Sequence, residues 1–282
     1  MVMDEVYKRN CRFIDDKYKN LTELSDFLCF DFARRYKRTR HASPSPHEIA
    51  ELYKNLRSVH SEVFVSRDFA VFCRAFSDVF EDSFSPMTEP EKDSGIPRIA
   101  YLQNTFSDRA YRCFSSRFER VSASYYPGFS EVCEEVYNGN CSHGILPIQN
   151  SRDGQLISFR RLILKYDLKI SLVTDIETTD DSSMRFALLQ KNIDSIMTAE
   201  RCYLDLFLVL ESTDYAPFLS ACRELGASVV LLNSLPLEYS DDRYGLSLQL
   251  DVSNSHRNAL LCFLEASHIR YEIVGMYDII KQ

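Results

Sequence analysis

"GILPIQNSRDG", residues 144–154, decides how the centre of this chain is read. An unbroken run of apolar and small residues stops at a cluster of amides, a hydroxyl, charges and a glycine. Such a run, bounded by turn residues, marks a buried strand. In an α/β layer the end of a strand is where polar groups are presented to a ligand. Two readings of "QNSRDG" stay open: a polar turn that caps the following helix, or a residual anion or ligand site.

Working outward, "RIAYL" (98–102) reads as a strand and Ser107 to Phe118 as a helix. Phe129, Val132, Cys133 and Val136 follow at helical spacing and stop at "NGN". After "GILPI" come a helix in "LISFRRLILKY" (156–166), a strand in "LKISLVT" (168–174), a polar loop in "TDIETTDDSS" (174–183) and a strand in "MRFALLQ" (184–190). This alternation predicts an α/β layer with a mostly parallel sheet. From residue 203 the order is strand, helix, strand, strand, helix, strand, through "YLDLFLVLE", "YAPFLSACRELG", "ASVVLLNSLPL", "YGLSLQLDV", "HRNALLCFLEAS" and "IRYEIVGMY". That βαββαβ order is ferredoxin-like. Upstream, Ile14, Tyr18, Leu21, Leu24 and Leu28 form one apolar stripe along a long helix. "SPSP" (43–46) interrupts it, and two more periodic stretches run through Ile49, Leu52 and Leu56 and through Phe72, Phe76 and Val79. "SPMTEPEKDSGIP" (85–97) reads as a linker. The whole is an α+β multidomain chain: an all-α unit at 1–90, a single α/β lobe at 97–198 and a ferredoxin-like unit at 203–282.

Composition narrows the function. A net charge of −8 argues against nucleic acid as a partner, since that surface must displace counterions with cations. No apolar run is long enough to cross a bilayer, and the charged opening "MVMDEVYKRNCRF" lacks the apolar core of a secretory signal. Nine cysteines without a CxxC read as reduced thiols, several on apolar helix positions, and suggest the cytoplasm. The six histidines have no ligand spacing, so neither a metal nor another cofactor is expected.

Three ordered motifs carry a resemblance. "IAYLQNTFSDRAY", "GILPIQNSRDG" and "SMRFALLQ" resemble the three motifs of prephenate dehydratase, and "FSEVCEEVYNGNCSHG" is similar to the helix before its second motif. The C-terminal unit resembles the ACT domain that follows this dehydratase and senses phenylalanine. The N-terminal helices resemble a divergent all-helical chorismate mutase. The three-part order is similar to the P-protein family, the bifunctional mutase–dehydratase of phenylalanine biosynthesis.

The resemblance also implies departures. The family's second dehydratase lobe would be inserted between "LKISLVT" and "SMRFALLQ", where only "DIETTDDSS" stands. The threonine that would protonate the leaving oxygen is matched by Met184, and the glutamate of the second motif by Gln149. Thr105, Ser107, Asn150, Ser151, Arg185 and Phe186 remain as site remnants, while Gln103-Asn104 replaces a glycine-rich turn. Arg185 reads equally as a strand-edge residue or as a retained anion contact. For the mutase, the family's three cations fall near Lys8, Ser25 and Tyr36, with Lys37 adjacent; a slip of one turn brings in Arg34. Glu48 matches the second-helix glutamate, and the closing glutamine falls near Met87. "ARRYKRTRH" (33–41) reads as a carboxylate-binding cluster, a nucleic-acid stripe or a solvated helix end. The ACT ligand positions are Tyr215 and Ala216 in "YAPFL" and Asn233 and Ser234 in "NSLPL".

Two functions follow. One is a catalytically impaired relative that binds an aromatic-pathway metabolite or amino acid, phenylalanine among them, and self-associates through its ACT or helical domain. The other is an active chorismate mutase or prephenate dehydratase producing phenylpyruvate. A scaffold without any small ligand is the blander third.

Overall fold

The computed structural model describes residues 2–57, 66–80, 96–177, 182–193, 201–209, 215–236 and 244–280, with the backbone alone for 2–8. The helices are α1 (Val2–Thr39), α2 (Pro46–Arg57), α3 (Arg67–Phe80), α4 (Thr105–Ser115), α5 (Phe129–Tyr137), α6 (Ile157–Lys165), α7 (Ala216–Glu224) and α8 (Asn254–Ala266). The strands are β1 (Arg98–Tyr101), β2 (Ser122–Tyr125), β3 (His143–Asn150), β4 (Gly154–Gln155), β5 (Lys169–Glu177), β6 (Ser183–Gln190), β7 (Arg201–Val209), β8 (Ala227–Pro236), β9 (Tyr244–Ser253), β10 (Arg270–Tyr277) and β11 (Ile279–Ile280). Contacts group these elements into two compact units, each drawing on separated parts of the chain.

The helical unit takes Met1–Ser85, Ser212–Ala227 and Ser255–Ile269. Its centre is α3, whose Phe69, Phe72, Cys73, Phe76 and Phe80 are all buried. A helix apolar nearly all round is stable only when surrounded. Ala33 of α1 is fully buried, and Phe32 and Tyr36 lie 5.8 Å from Phe72 and 5.5 Å from Phe76 between ring centroids. Tyr53 of α2 meets Phe69 at 4.9 Å, and Phe263 of α8 meets it at 6.0 Å. Arg67 Nη2 donates to Asp26 at 3.1 Å and Arg67 Nε to Glu224 at 3.1 Å, so one guanidinium links α1, α3 and α7. The N-terminal part of α1 behaves differently. Its predicted apolar stripe is there, but Ile14, Tyr18, Leu21 and Leu24 are exposed.

The sheet unit takes Pro86–Glu211, Ser228–Asn254 and Arg270–Gln282. The eleven strands of the described residues form one sheet in the order β2-β1-β3-β6-β5-β10-β7-β9-β8, with β4 on β3 and β11 on β5. The expected mostly parallel lobe is instead mixed: β1 runs parallel to β2 and β3, but β6 runs antiparallel to both β3 and β5. The reason is the short segment 178–182 between β5 and β6, because a parallel crossover needs about a dozen residues or more. The C-terminal βαββαβ strands continue this sheet through β10, which lies beside β5.

Each face of the sheet has its own core. Val132, Cys133 and Val136 of α5 and Ile163 of α6 pack with Leu146, Val173, Ala187 and Leu189. Ala110 and Phe114 of α4 pack with Ile99, Ile145, Ile176, Phe186 and Leu188. Ile145 and Leu146 are both fully buried, as a central strand requires. Pro147 cannot donate to the ladder, and the register slips between Pro147 and Gln149.

Among the described residues Arg160 of α6 is the one buried lysine or arginine, and it pairs with buried Asp205 of β7. Tyr277 donates to the other carboxylate oxygen at 3.3 Å, and Gln249 donates to Tyr277. Burial pushes the Tyr277 hydroxyl well above its ordinary value, so it stays a donor. Removing one partner of a buried pair strands the other charge. Asp205→Asn is therefore expected to destabilise the chain by about 3–5 kcal/mol, and Arg160→Met with Asp205→Leu by much less. Chemical denaturation of the three proteins measures both values.

Candidate functional site

The strand ladder arranges the second and third motifs in rows. Gln149 of β3 and Asp175 of β5 both stand opposite Arg185 of β6. Side chains in such a row share one face of the sheet. Arg185 Nε and Nη2 donate to the two oxygens of Asp175 at 2.7 and 2.9 Å, a bidentate fork. Arg185 Nη1 reaches Gln149 Oε1 at 3.4 Å. Bonding to Asp175 holds the guanidinium above its ordinary value, against the opposing effect of burial. Asp175 is the residue that sequence reading missed. Its signal was the alternation of Leu172, Thr174 and Ile176, which carries the strand past Thr174 and places Asp175 on the Arg185 face.

The next row holds Asn150, Met184 and Ile176, and alternation turns it to the other face. Met184 packs there against the core that contains Ile99, Tyr101 and Ile176, and Phe186 is buried in the same core. The structure thus brings Gln149 and Arg185 together on one face, and Met184 and Phe186 together on the other.

Three of the remaining polar side chains of the motifs, Asn104, Asn150 and Ser151, are taken up by the chain itself. Asn150 Oδ1 accepts from Arg152 N at 2.9 Å, and its Nδ2 donates to Asp153 at 3.3 Å. Ser151 Oγ accepts from Ser183 N at 2.9 Å, and Ser151 N donates to Ser183 O at 2.9 Å. "QNSRDG" is therefore the turn of the β3–β4 hairpin, with Gly154 at a φ of 74°. It does not cap the following helix, whose N-cap is Leu156 without a side-chain bond. In the first motif, Asn104 Oδ1 accepts from Phe106 N at 3.0 Å and Ser107 N at 2.9 Å, closing the start of α4 on itself. Thr105 is exposed, while Ser107 is buried with no partner for its Oγ among the described residues.

The helical unit shows the same economy. Glu48 Oε2 accepts from Ser45 N at 2.7 Å, and Ser45 Oγ accepts from Glu48 N at 3.3 Å, a capping box at the start of α2. Lys37 Nζ donates to the Val79 carbonyl at 2.5 Å and lies over the Phe80 ring. Ser25 Oγ accepts from Arg57 at 3.4 Å, and Tyr36 packs on Phe76 and Phe80. Lys8 lies in α1, but its side chain is outside the described residues, as is Met87 altogether. Arg34, Lys37, Arg38 and His41 line an open groove of about 630 Å³ with Phe30 and Asp78. Burial raises the Asp78 carboxyl above its ordinary value.

Of the ACT-motif positions, Tyr215 and Ala216 belong to the helical unit, Asn233 and Ser234 to the sheet unit. Asn233 Nδ2 donates to Gln155 Oε1 at 3.1 Å, and Gln155 Nε2 donates to Ser247 at 3.2 Å. Burial pushes the Cys133 and Cys222 thiols up to about 12, so neither is a nucleophile at neutral pH. Among the described residues no cluster of His, Cys, Asp and Glu could hold a metal ion, and no helix is long and apolar enough to cross a membrane.

Residues 99–179 match the prephenate dehydratase family. That stretch contains both the first and the second motif, from Ile99 to the end of β5. No curated protein matches the chain. Among solved structures, a prephenate dehydratase from Streptococcus mutans superposes with a TM-score of 0.55 at 17% identity, over 66% of this chain and 100% of its own. GqqA, described as a novel type of quorum-quenching acylase, gives 0.53 at 18% identity, over 65% of this chain and 95% of its own. A prephenate dehydratase from Arthrobacter aurescens in complex with L-Phe gives 0.50 at 12% identity, over 64% and 89%. The fold is that of these prephenate dehydratases, and the match to the family lies at residues 99–179.

The capping box makes a pH prediction. Bonds from Ser45 hold the Glu48 carboxyl below its ordinary value. A lowered folded pKa contributes stability that is complete above the ordinary glutamate range and is lost as pH falls through the lowered value. Wild type is expected to be more stable than Glu48→Ala at neutral pH, and the gap to close in acid. Denaturation followed by circular dichroism between neutral and acid pH checks this.

Proposed function

We propose that the chain is a catalytically impaired relative of the P-protein, linked to phenylalanine biosynthesis and acting as a ligand-binding or regulatory subunit. In this reading residues 1–90 derive from a chorismate mutase, 97–198 from a prephenate dehydratase without its second lobe, and 203–282 from an ACT domain. The single observation that carries it is the Asp175–Arg185 fork. Dehydration of prephenate expels carbon dioxide and a hydroxyl group, so the site must hold carboxylates and donate a proton to the leaving oxygen. The cation of the third motif is already bonded to an internal carboxylate. The position matched to the proton donor is Met184, whose thioether has no proton to give, and it faces the apolar core.

The mutase positions support the same reading. That rearrangement asks the protein only for cations and donors that hold two carboxylates and an ether oxygen. Here Lys37 is bonded to a backbone carbonyl, Glu48 caps its own helix, and Ser25 and Tyr36 carry no charge. The ligand is an aromatic-pathway metabolite or amino acid, phenylalanine first, as in the dehydratase complexed with L-Phe. Self-association runs through the helical or the ACT part.

The test is turnover. Purified chain is expected to convert neither prephenate to phenylpyruvate nor chorismate to prephenate above background, while titration with phenylalanine gives a saturable heat. Turnover on either substrate approaching the typical enzyme range of about 1–1000 per second would overturn the impairment.

A further inference from the structure

The buried pair of Arg160 and Asp205 leaves hydrogen-bonding capacity unused. A guanidinium carries five N–H donors and no acceptor. Arg160 Nη2 donates to Asp205 Oδ1 and, at 3.3 Å, to the Leu206 carbonyl. Its Nε and Nη1 are buried and meet no acceptor among the described residues. A buried donor on a charged group is costly to leave unbonded, and native cores rarely do so. These two donors call for a partner.

The space beside them is small and closed. Ile148, Gln155, Arg160, Ile163, Ile170 and Asp205 line a cavity of about 10 Å³ between α6 and the sheet. A water molecule needs roughly 10–15 Å³, so the cavity takes one and no more. Its wall also offers an acceptor. Gln155 Oε1 accepts from Asn233 Nδ2 at 3.1 Å, while Gln155 Nε2 donates to Ser247 at 3.2 Å. An amide oxygen has two lone pairs, so one is left over.

These walls select the occupant. It must accept from Arg160 and donate to Gln155. An anion only accepts, and Asp205 already balances the Arg160 charge, so an added anion would be a buried charge without a counterion. A cation is repelled by the guanidinium at this range. An apolar group leaves both donors unbonded. Water accepts and donates within the volume available.

We propose that this cavity is a binding site for one water molecule, which accepts from the Arg160 guanidinium and donates to Gln155 Oε1. The water then joins two polar chains of the sheet unit. One runs from Arg160 through Asp205 and Tyr277 to Gln249, and the other from Asn233 through Gln155 to Ser247. Gln155 stands opposite Gln149 in the β3–β4 ladder, so the water ties the hairpin of the second motif to the buried ion pair. The site goes beyond the proposed function and holds whether or not the chain turns over prephenate.

A high-resolution crystal structure of the full chain tests it, with a second crystal soaked in bromide. One solvent peak is expected about 2.7–3.2 Å from an Arg160 nitrogen and from Gln155 Oε1, with no anomalous bromide signal there. In solution, oxygen-17 relaxation dispersion counts water molecules held longer than the protein tumbles. Arg160→Met with Asp205→Leu is expected to hold one fewer than wild type. A cavity without density, a bromide peak inside it, or Arg160 donors turned onto protein acceptors overturns the proposal. So does a folded double variant whose water count is undiminished; where that variant does not fold, the wild-type crystals decide alone.

Discussion

The short segment between β5 and β6, residues 178–182, sets the chemistry of the sheet unit. It is too short for a crossover, so the strands must pair antiparallel, and the register that results puts Asp175 directly opposite Arg185. A carboxylate in that place meets a guanidinium with two parallel hydrogen bonds, the strongest match available to either group. One constraint on connection length thus shapes both the mixed topology of the sheet and the occupancy of its most prominent cation.

The same pattern recurs along the chain. Polar side chains at positions that resemble binding motifs find their partners within the fold: Asn104 at the start of α4, Asn150 and Ser151 in the hairpin turn, Glu48 at the start of α2, Lys37 on the carbonyl of Val79. Buried polar groups are bonded as a rule, and here these groups find their partners among the chain's own atoms. A ligand carboxylate that approaches Arg185 must displace an intramolecular partner already held by the ladder.

Much of the fold was legible because period and punctuation are local. The alternation through Ile145 to Ile148, the helical spacing of Phe129 to Val136 and the βαββαβ order after residue 200 all appear as elements where the sequence places them. Strand direction was not legible from alternation of helices and strands, although the short polar loop before Met184 already contained the answer. The two-residue strands β4 and β11 are too short to leave a periodic signal, and they exist through their neighbours β3 and β5. The site was legible in its residue types and not in its pairings. Asp175 was hidden because it looked like part of a loop, and Ser45 with Glu48 carried a capping pattern that the resemblance to a mutase glutamate obscured. Periodicity gave α1 its apolar stripe, but it cannot say whether core, solvent or another chain covers the stripe.

The proposed impairment requires Arg185 to be saturated by Asp175. Isothermal calorimetry with prephenate on wild type and on Asp175→Asn tests this directly. Wild type is predicted to give no saturable heat, and the variant, with its guanidinium released, a saturable one that Arg185→Met on the same background abolishes. Saturable binding to wild type that Asp175→Asn leaves unchanged would contradict it.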